Sequence, residues 1–181
     1  TKEVVMDSVI GRELARSGAR LQNAHSWHAA FLLYEKANPR SFFRPYLDVL
    51  PVHYRHMPVF FDQKELDYLR GSFTLRMIAD RKKHIRSEYD RICAKVPAFS
   101  SFHPDEFMWA RLAVITRIFG FEVNGKRTDG LVPLADMLNH KRPNQTEWTF
   151  ADDVQGFTIH SNMSLGKGAQ VYDSYGRKCN S

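Results

Sequence analysis

Residues 131–140 read LVPLADMLNH. The run begins as a buried strand or the start of a helix would, all apolar but for one carboxylate, and then ends on an amide followed by an imidazole. A core segment that finishes on Asn139-His140 either closes in a turn or delivers two hydrogen-bonding side chains to a site. Few other polar groups of the chain lie in apolar settings: Arg117 late in the run FMWARLAVITRIF, Asp136 inside the opening stretch, and Tyr172 and Tyr175 in VYDSYG. Each has an ordinary reading. Arg117 could simply pair with Asp136, a buried tyrosine often only meets a carbonyl, and Asn-His could be a turn.

Outward from this stretch, the chain changes character near residue 125, from helix-patterned to strand-patterned. Residues 24–37 (AHSWHAAFLLYEKA) form an apolar helix stopped by Asn38-Pro39, and SFFRPYLDVLP (41–51) is an aromatic connector that packs. Asp62 and Glu65 make a capping box that opens KELDYLRG, with Gly71 as its stop. A long helix runs from about Ser72 to Val96, with Leu75, Ile78, Ile85, Tyr89, Ile92 and Val96 on one face and Arg81, Lys82, Lys83, Arg86 and Glu88 on the others. Another begins at His103-Pro104 and continues to about Phe119, apolar almost all round and hence buried. Beyond it, LVPLADM, EWTFADD, GFTIHS and AQVYDSYG read as short strands. SLGKGAQVY lacks the spacing of a phosphate-binding loop and leads into β-branched residues, so it reads as a hairpin turn.

Composition narrows the chemistry. With 43% hydrophobic residues the chain can bury a sizeable core. Its formal charge of +6 and pI near 9.4 would suit an acidic partner, but a basic balance alone does not indicate nucleic acid. Cys93 and Cys179 lie far apart without metal-type spacing, which fits a reducing interior and no disulfide framework. No stretch approaches the ~18 apolar residues of a membrane span, so a soluble intracellular protein is expected. The pairs His25/His28 and His53/His56 lack a third ligand and read as surface histidines, so no metal is expected. No serine or cysteine sits in a nucleophile elbow. What remains is an Arg, an Asn-His step and a tyrosine: groups that suit transfer between two bound substrates, with the protein supplying position and electrostatics.

On these residues the chain resembles the SET-domain methyltransferases, in the branch that includes the Rubisco large-subunit lysine methyltransferase and the actin-histidine methyltransferase. LADMLNH is similar to that branch's (A/W)DxxNH motif and VYDSYGRKCNS to its IYxxYGxxSN motif. SFFRPYLDVLP, FDQKELDYLRGS and FMWARLAVITRIF are similar to its SFWxPYxxxLP, (F/W)xxxELxxLxGS and xxWAxxxxxSRxF segments, so the likeness covers about residues 24–181.

The resemblance implies an α+β fold: small SET sheets with a knot-like crossing over about residues 125–181, and an inserted helical lobe over about residues 11–122. Residues 1–10 would end the N-terminal SET segment, 11–124 would hold the insertion, and 125–181 would carry the Asn-His and Tyr motifs. The glycine-containing cofactor segment and the C-terminal substrate lobe of the family would lie outside this chain, and the fragment alone would then be of doubtful activity. It also implies S-adenosylmethionine as cofactor, held by Arg117, Asp136, Asn139, His140 and Tyr175, with Tyr175 at the transfer point. Phe119, Ala135, Tyr172 and Lys178 would face a protein substrate, histone or non-histone.

In the histidine-methylating relative the positions of Phe119 and Ala135 resemble Asn and Trp, whereas lysine-methylating relatives tend to Phe and Ala. An apolar channel without an amide for an imidazole fits lysine better. The expectation is therefore a protein-lysine N-methyltransferase, monomeric, cytoplasmic or nuclear with an organelle not excluded, without a membrane or nucleic-acid partner. A histidine methyltransferase and a catalytically silent SET-like binding module are the alternatives, with a basic nucleic-acid binder behind them.

Overall fold

The computed structural model describes residues 1–176. The chain divides into two compact units, a helical one over Lys2–Thr116 and a strand one comprising Thr1 and the chain from Arg117 onward.

The helical unit opens with α1 (Lys2–Asp7) and α2 (Val9–Arg16), where the Ser8 hydroxyl caps α2 by accepting from the Gly11 N–H at 3.1 Å. Residues 1–10 were expected to end a SET segment; instead, from Lys2 onward they are helical but for Ser8 and belong to this unit. Helix α3 (Ala24–Ala37) has the predicted bounds, with Asn23 as its cap, and the aromatic connector folds as a short turn, α4 (Arg44–Leu47), that buries Tyr46 and Leu47. The predicted capping box is present on α5 (Gln63–Asp67), with Asp62 and Glu65 exchanging hydrogen bonds at 2.9 Å each. Helix α6 (Phe73–Lys95) follows, then a 3-10 turn (Pro97–Ser101) and α7 (Pro104–Arg117). Ile10, Leu14, Leu32, Leu33, Ile92, Phe99, Phe107 and Leu112 are fully buried. The core therefore joins α2, α3, α6 and α7, and Tyr89 packs its ring on Phe99 and Phe107.

Two polar side chains of this unit are covered. Glu88, off the apolar face of α6, is fully buried, where it accepts from the Arg91 Nη1 at 3.0 Å and from the Gln22 N–H at 3.4 Å. Nearby Arg111 is also buried, and desolvation pulls its pKa down to about 10 although the Glu88 charge works the other way. His28 is likewise buried rather than at the surface, donating from Nδ1 to the Ala24 carbonyl at 3.0 Å. Periodicity reports only which side of a helix carries the apolar stripe; it does not report that a charged position off that stripe is also covered, as Glu88 is.

In the strand unit, β1 (Ile118–Val123) and β2 (Lys126–Leu131) form an antiparallel hairpin. Strand character thus begins at Ile118, inside the segment assigned to the helical insertion, rather than near residue 125. The turn is Asn124-Gly125, both at positive φ, which is the dipeptide that a two-residue hairpin turn favours. The stretch LVPLADMLNH is not one core strand: Leu131 ends β2, a 3-10 turn covers Ala135–Met137, and β3 is only Asn139–His140. Strands β4 (Thr146–Ala151) and β5 (Gly156–Ser161) form a second antiparallel pair, as read from EWTFADD and GFTIHS. Residues 166–169 make a turn, with the Ala169 N–H bonded to the Gly166 carbonyl, but not a hairpin, because β6 (Tyr172–Asp173) pairs with β3 in parallel instead of with β5. Phe119 and Phe121 of β1 meet Trp148, Phe150 and Phe157 of β4 and β5 in one aromatic cluster that fills this small unit. Among the described residues no helix is long and apolar enough to cross a membrane.

Candidate functional site

The β3–β6 pair draws the two motifs together. Asn139 lies beside Tyr172 and His140 beside Asp173 in parallel register, and the Lys141 N–H continues the ladder to the Asp173 carbonyl at 3.0 Å. Parallel pairing cannot be closed by a tight turn, so the chain from 141 to 171, including β4 and β5, serves as the crossover.

Tyr175 is held at both ends. Its backbone N–H donates to His140 Nδ1 at 3.1 Å, and its hydroxyl donates to the Leu138 carbonyl at 2.8 Å. The two rings lie 5.2 Å apart and tilted by 32°. An Nδ1 that accepts from an amide carries no hydrogen, so the neutral imidazole holds its proton on Nε2. The Arg142 Nη2 donates to the Gly176 carbonyl at 2.8 Å and fixes the chain just past the tyrosine. Asn139, His140 and Tyr175 are nonetheless exposed, the last by 53%, so the motif that looked like the end of a core run lies at the surface.

The preceding turn is pinned from β1's first neighbour. Arg117, the last residue of α7, donates from Nη1 to both the Asp136 carboxylate at 3.1 Å and the Asp136 carbonyl at 3.2 Å. The Asp136 side chain is wholly buried while that of Arg117 keeps 18% of its surface, so the ion pair has a covered carboxylate and a partly exposed guanidinium side chain. Leu134, just before, has φ +75° and ψ −43°, a conformation that an L-residue holds only under constraint. Ala135 is buried in the turn.

The structure therefore joins Arg117 to Asp136, and Asn139 and His140 to Tyr172 and Tyr175, along one continuous backbone. Phe119 stands apart from these, its ring edge-on to Trp148 and Phe157 in the aromatic cluster. Tyr172 is half-buried, with the Lys141 ammonium over its ring at 5.0 Å. Lys178 lies outside the described residues. Two residues that the sequence reading passed over complete the crossing: Thr146 and Asp173, both buried, with the Thr146 hydroxyl 3.0 Å from the Asp173 carboxylate and 3.1 Å from the Tyr172 carbonyl. A carboxylate in the apolar setting of VYDSYG is the signal that could have marked the pair. No group of three or more His, Cys, Asp or Glu side chains among the described residues could hold a metal ion.

The curated relatives include the actin-histidine N-methyltransferases of Gallus gallus and Homo sapiens. Each is 29% identical over an alignment that takes in 99% of this chain and 32% of the relative. The chain thus spans about a third of the length of the curated relatives it matches. Among solved structures, the SET domain of LSMT bound to lysine and AdoHcy matches with TM-score 0.77 at 20% identity, covering 97% of this chain and 41% of that one. The same domain bound to methyllysine and AdoHcy matches with TM-score 0.79 at 23% identity, covering 97% and 40%. Rubisco LSMT bound to AdoMet gives TM-score 0.75 at 22% identity with the same coverage. No model of a known protein family matches the chain. The fold is that of a SET domain, built of helices and small sheets.

Proposed function

We propose that the chain is part of an S-adenosylmethionine-dependent protein methyltransferase of the SET kind, acting on a lysine side chain. The observation that supports this most is the double anchoring of Tyr175, which ties the tyrosine to the Asn139-His140 strand through two hydrogen bonds. The donor set suits the amino-acid end of the cofactor: the Arg117 guanidinium and the exposed Asn139 residue are of the types that match a carboxylate, with Asp136 holding Arg117 in place.

When bound, the cofactor supplies a methyl group on a sulfonium, and transfer is an in-line displacement in which positive charge passes from sulfur to nitrogen. The residues of this chain have no acid to provide. Their task is to aim oxygen lone pairs, those of the Tyr175 hydroxyl and neighbouring carbonyls, at the centre where charge develops, and to fix the direction of attack. An attacking lysine must arrive neutral, against a reference pKa of about 10.4, which an apolar channel favours.

The relatives named actin-histidine N-methyltransferases favour a second reading, histidine methylation of actin. Phe119 and Ala135 support lysine instead, since neither offers a hydrogen bond to an imidazole. The test is to incubate the full-length protein with labelled S-adenosylmethionine, a cell lysate and purified actin, and to map the label by mass spectrometry. Label on lysine Nζ is expected. Label only on histidine would overturn the lysine assignment, and none from a protein shown to bind the cofactor would overturn the enzymatic one.

A further inference from the structure

The helical unit contains a cavity of about 290 Å³ lined in part by Tyr54, Phe60 and Trp109, with the acidic residues Asp105 and Glu106 also in its lining. Its indole is fixed: Trp109 is buried and donates from Nε1 to the Pro51 carbonyl at 2.8 Å. A cation already sits there, because the Lys36 ammonium lies over the ring, 3.9 Å from its centroid. That is well inside the ~6 Å within which a ring face attracts a cation.

We propose that this cavity is a second ligand site, for a methylated ammonium group on a protein or peptide, with Lys36 as its internal occupant. The Trp109 face already holds a cation, and Tyr54 and Phe60 add aromatic residues to the same lining; methylation spreads the charge and weakens hydration, so aromatic surroundings cost a methylated group less than they cost a bare ammonium. The balance of charge agrees. With Lys36 swung out, the lining residues that carry charge are Asp105, Glu106 and Arg55, with His53 also in the lining, and a cation is the complementary guest. Both carboxylates are held on the His103 side, where Glu106 accepts the His103 N–H at 2.7 Å and an Asp105 oxygen lies 3.5 Å from His103 Nδ1. The size fits a side-chain head group, since drug-sized ligands need roughly 300 Å³ or more. Every wall residue belongs to the helical unit and none to the Tyr175 site, so the inference stands or falls apart from the transfer reaction.

The test is calorimetric titration of the chain with three peptides alike except at one residue: Nε-trimethyllysine, lysine, or a neutral tert-butyl analogue of trimethyllysine. The trimethyllysine peptide is expected to bind most tightly. The Lys36→Ala variant, a good helix former on α3, should tighten it roughly two- to five-fold, the worth of one partly exposed cation–π contact. The Asp105→Asn/Glu106→Gln double variant should weaken it by a similar factor. Binding of the neutral analogue as tight as that of trimethyllysine, or no binding of trimethyllysine to a folded Lys36→Ala variant, would overturn the proposal.

Discussion

At the scale of single residues, Tyr175 carries the most. Its ring is exposed by 53%, so little of the fold depends on it, yet both its N–H and its hydroxyl are committed. Tyr175→Phe deletes the bond to the Leu138 carbonyl and the oxygen offered to the transfer. The change should lower kcat by about ten-fold or more while shifting unfolding free energy by less than roughly 1 kcal/mol, the net worth of one hydrogen bond. Single-turnover kinetics beside a urea melt separate the two effects; an unchanged kcat would remove Tyr175 from the reaction. Much of this site was legible one residue at a time: Arg117, Asp136, Asn139, His140 and Tyr175 stand out because each is polar in an apolar run. Even the plain alternative for Arg117, a pair with Asp136, is realised, with the carboxylate wholly buried. What single positions could not reveal is exposure. Asn139 and His140 face outward because the apolar run before them breaks at Pro133 and Leu134, so the segment never forms the continuous strand that its composition suggests.

At the scale of elements, pairing decides what can be foreseen. Helices carry their signals locally, which is why Asn23, Asp62 and Ser72 mark their starts and why α3 has the bounds read from its sequence. The β3–β6 contact is two residues long and joins positions some thirty apart, and nothing local encodes it. It depends on side chains such as Thr146, whose loss should be felt. Thr146→Val keeps the shape but leaves the buried Asp173 carboxylate without its hydroxyl donor, at a cost of about 1–3 kcal/mol in a denaturant melt, while Thr146→Ser should cost less. A second element-level prediction concerns α6. Burial, reinforced by the Cys93 side chain, pushes the Tyr89 hydroxyl up to about 12 from its usual 10, and that hydroxyl donates to the Phe102 carbonyl at 2.7 Å. The folded state holds this proton more tightly than the unfolded one, so its contribution is complete below pH 10 and is lost as pH rises from 10 through 12. Stability of the helical unit followed by far-ultraviolet circular dichroism should fall over that window, and Tyr89→Phe should flatten the fall.

At the scale of the whole molecule, the two units differ in what holds them. The helical unit buries a large apolar core, whereas the strand unit relies on five aromatic rings, three two-stranded pairs and the polar crossing. A small unit with so little buried surface opens locally at low cost, and a ligand that binds only its closed form stabilises it by mass action. The proposed cofactor contacts all lie in this unit. S-adenosylhomocysteine added to the full-length protein at a hundred times its dissociation constant should therefore raise local opening free energies there by up to about 2.7 kcal/mol. Hydrogen exchange should slow in β3, β6 and the 135–137 turn, and hardly at all in α3 and α6. Trp148, the one tryptophan after residue 116, gives an independent fluorescence readout. Protection confined to the helices would mean that the cofactor is held elsewhere than at Arg117, Asn139 and Tyr175. Protection in the strands that vanishes in an Arg117→Met variant, itself still folded by circular dichroism, would tie the ligand to Arg117 rather than to the fold at large.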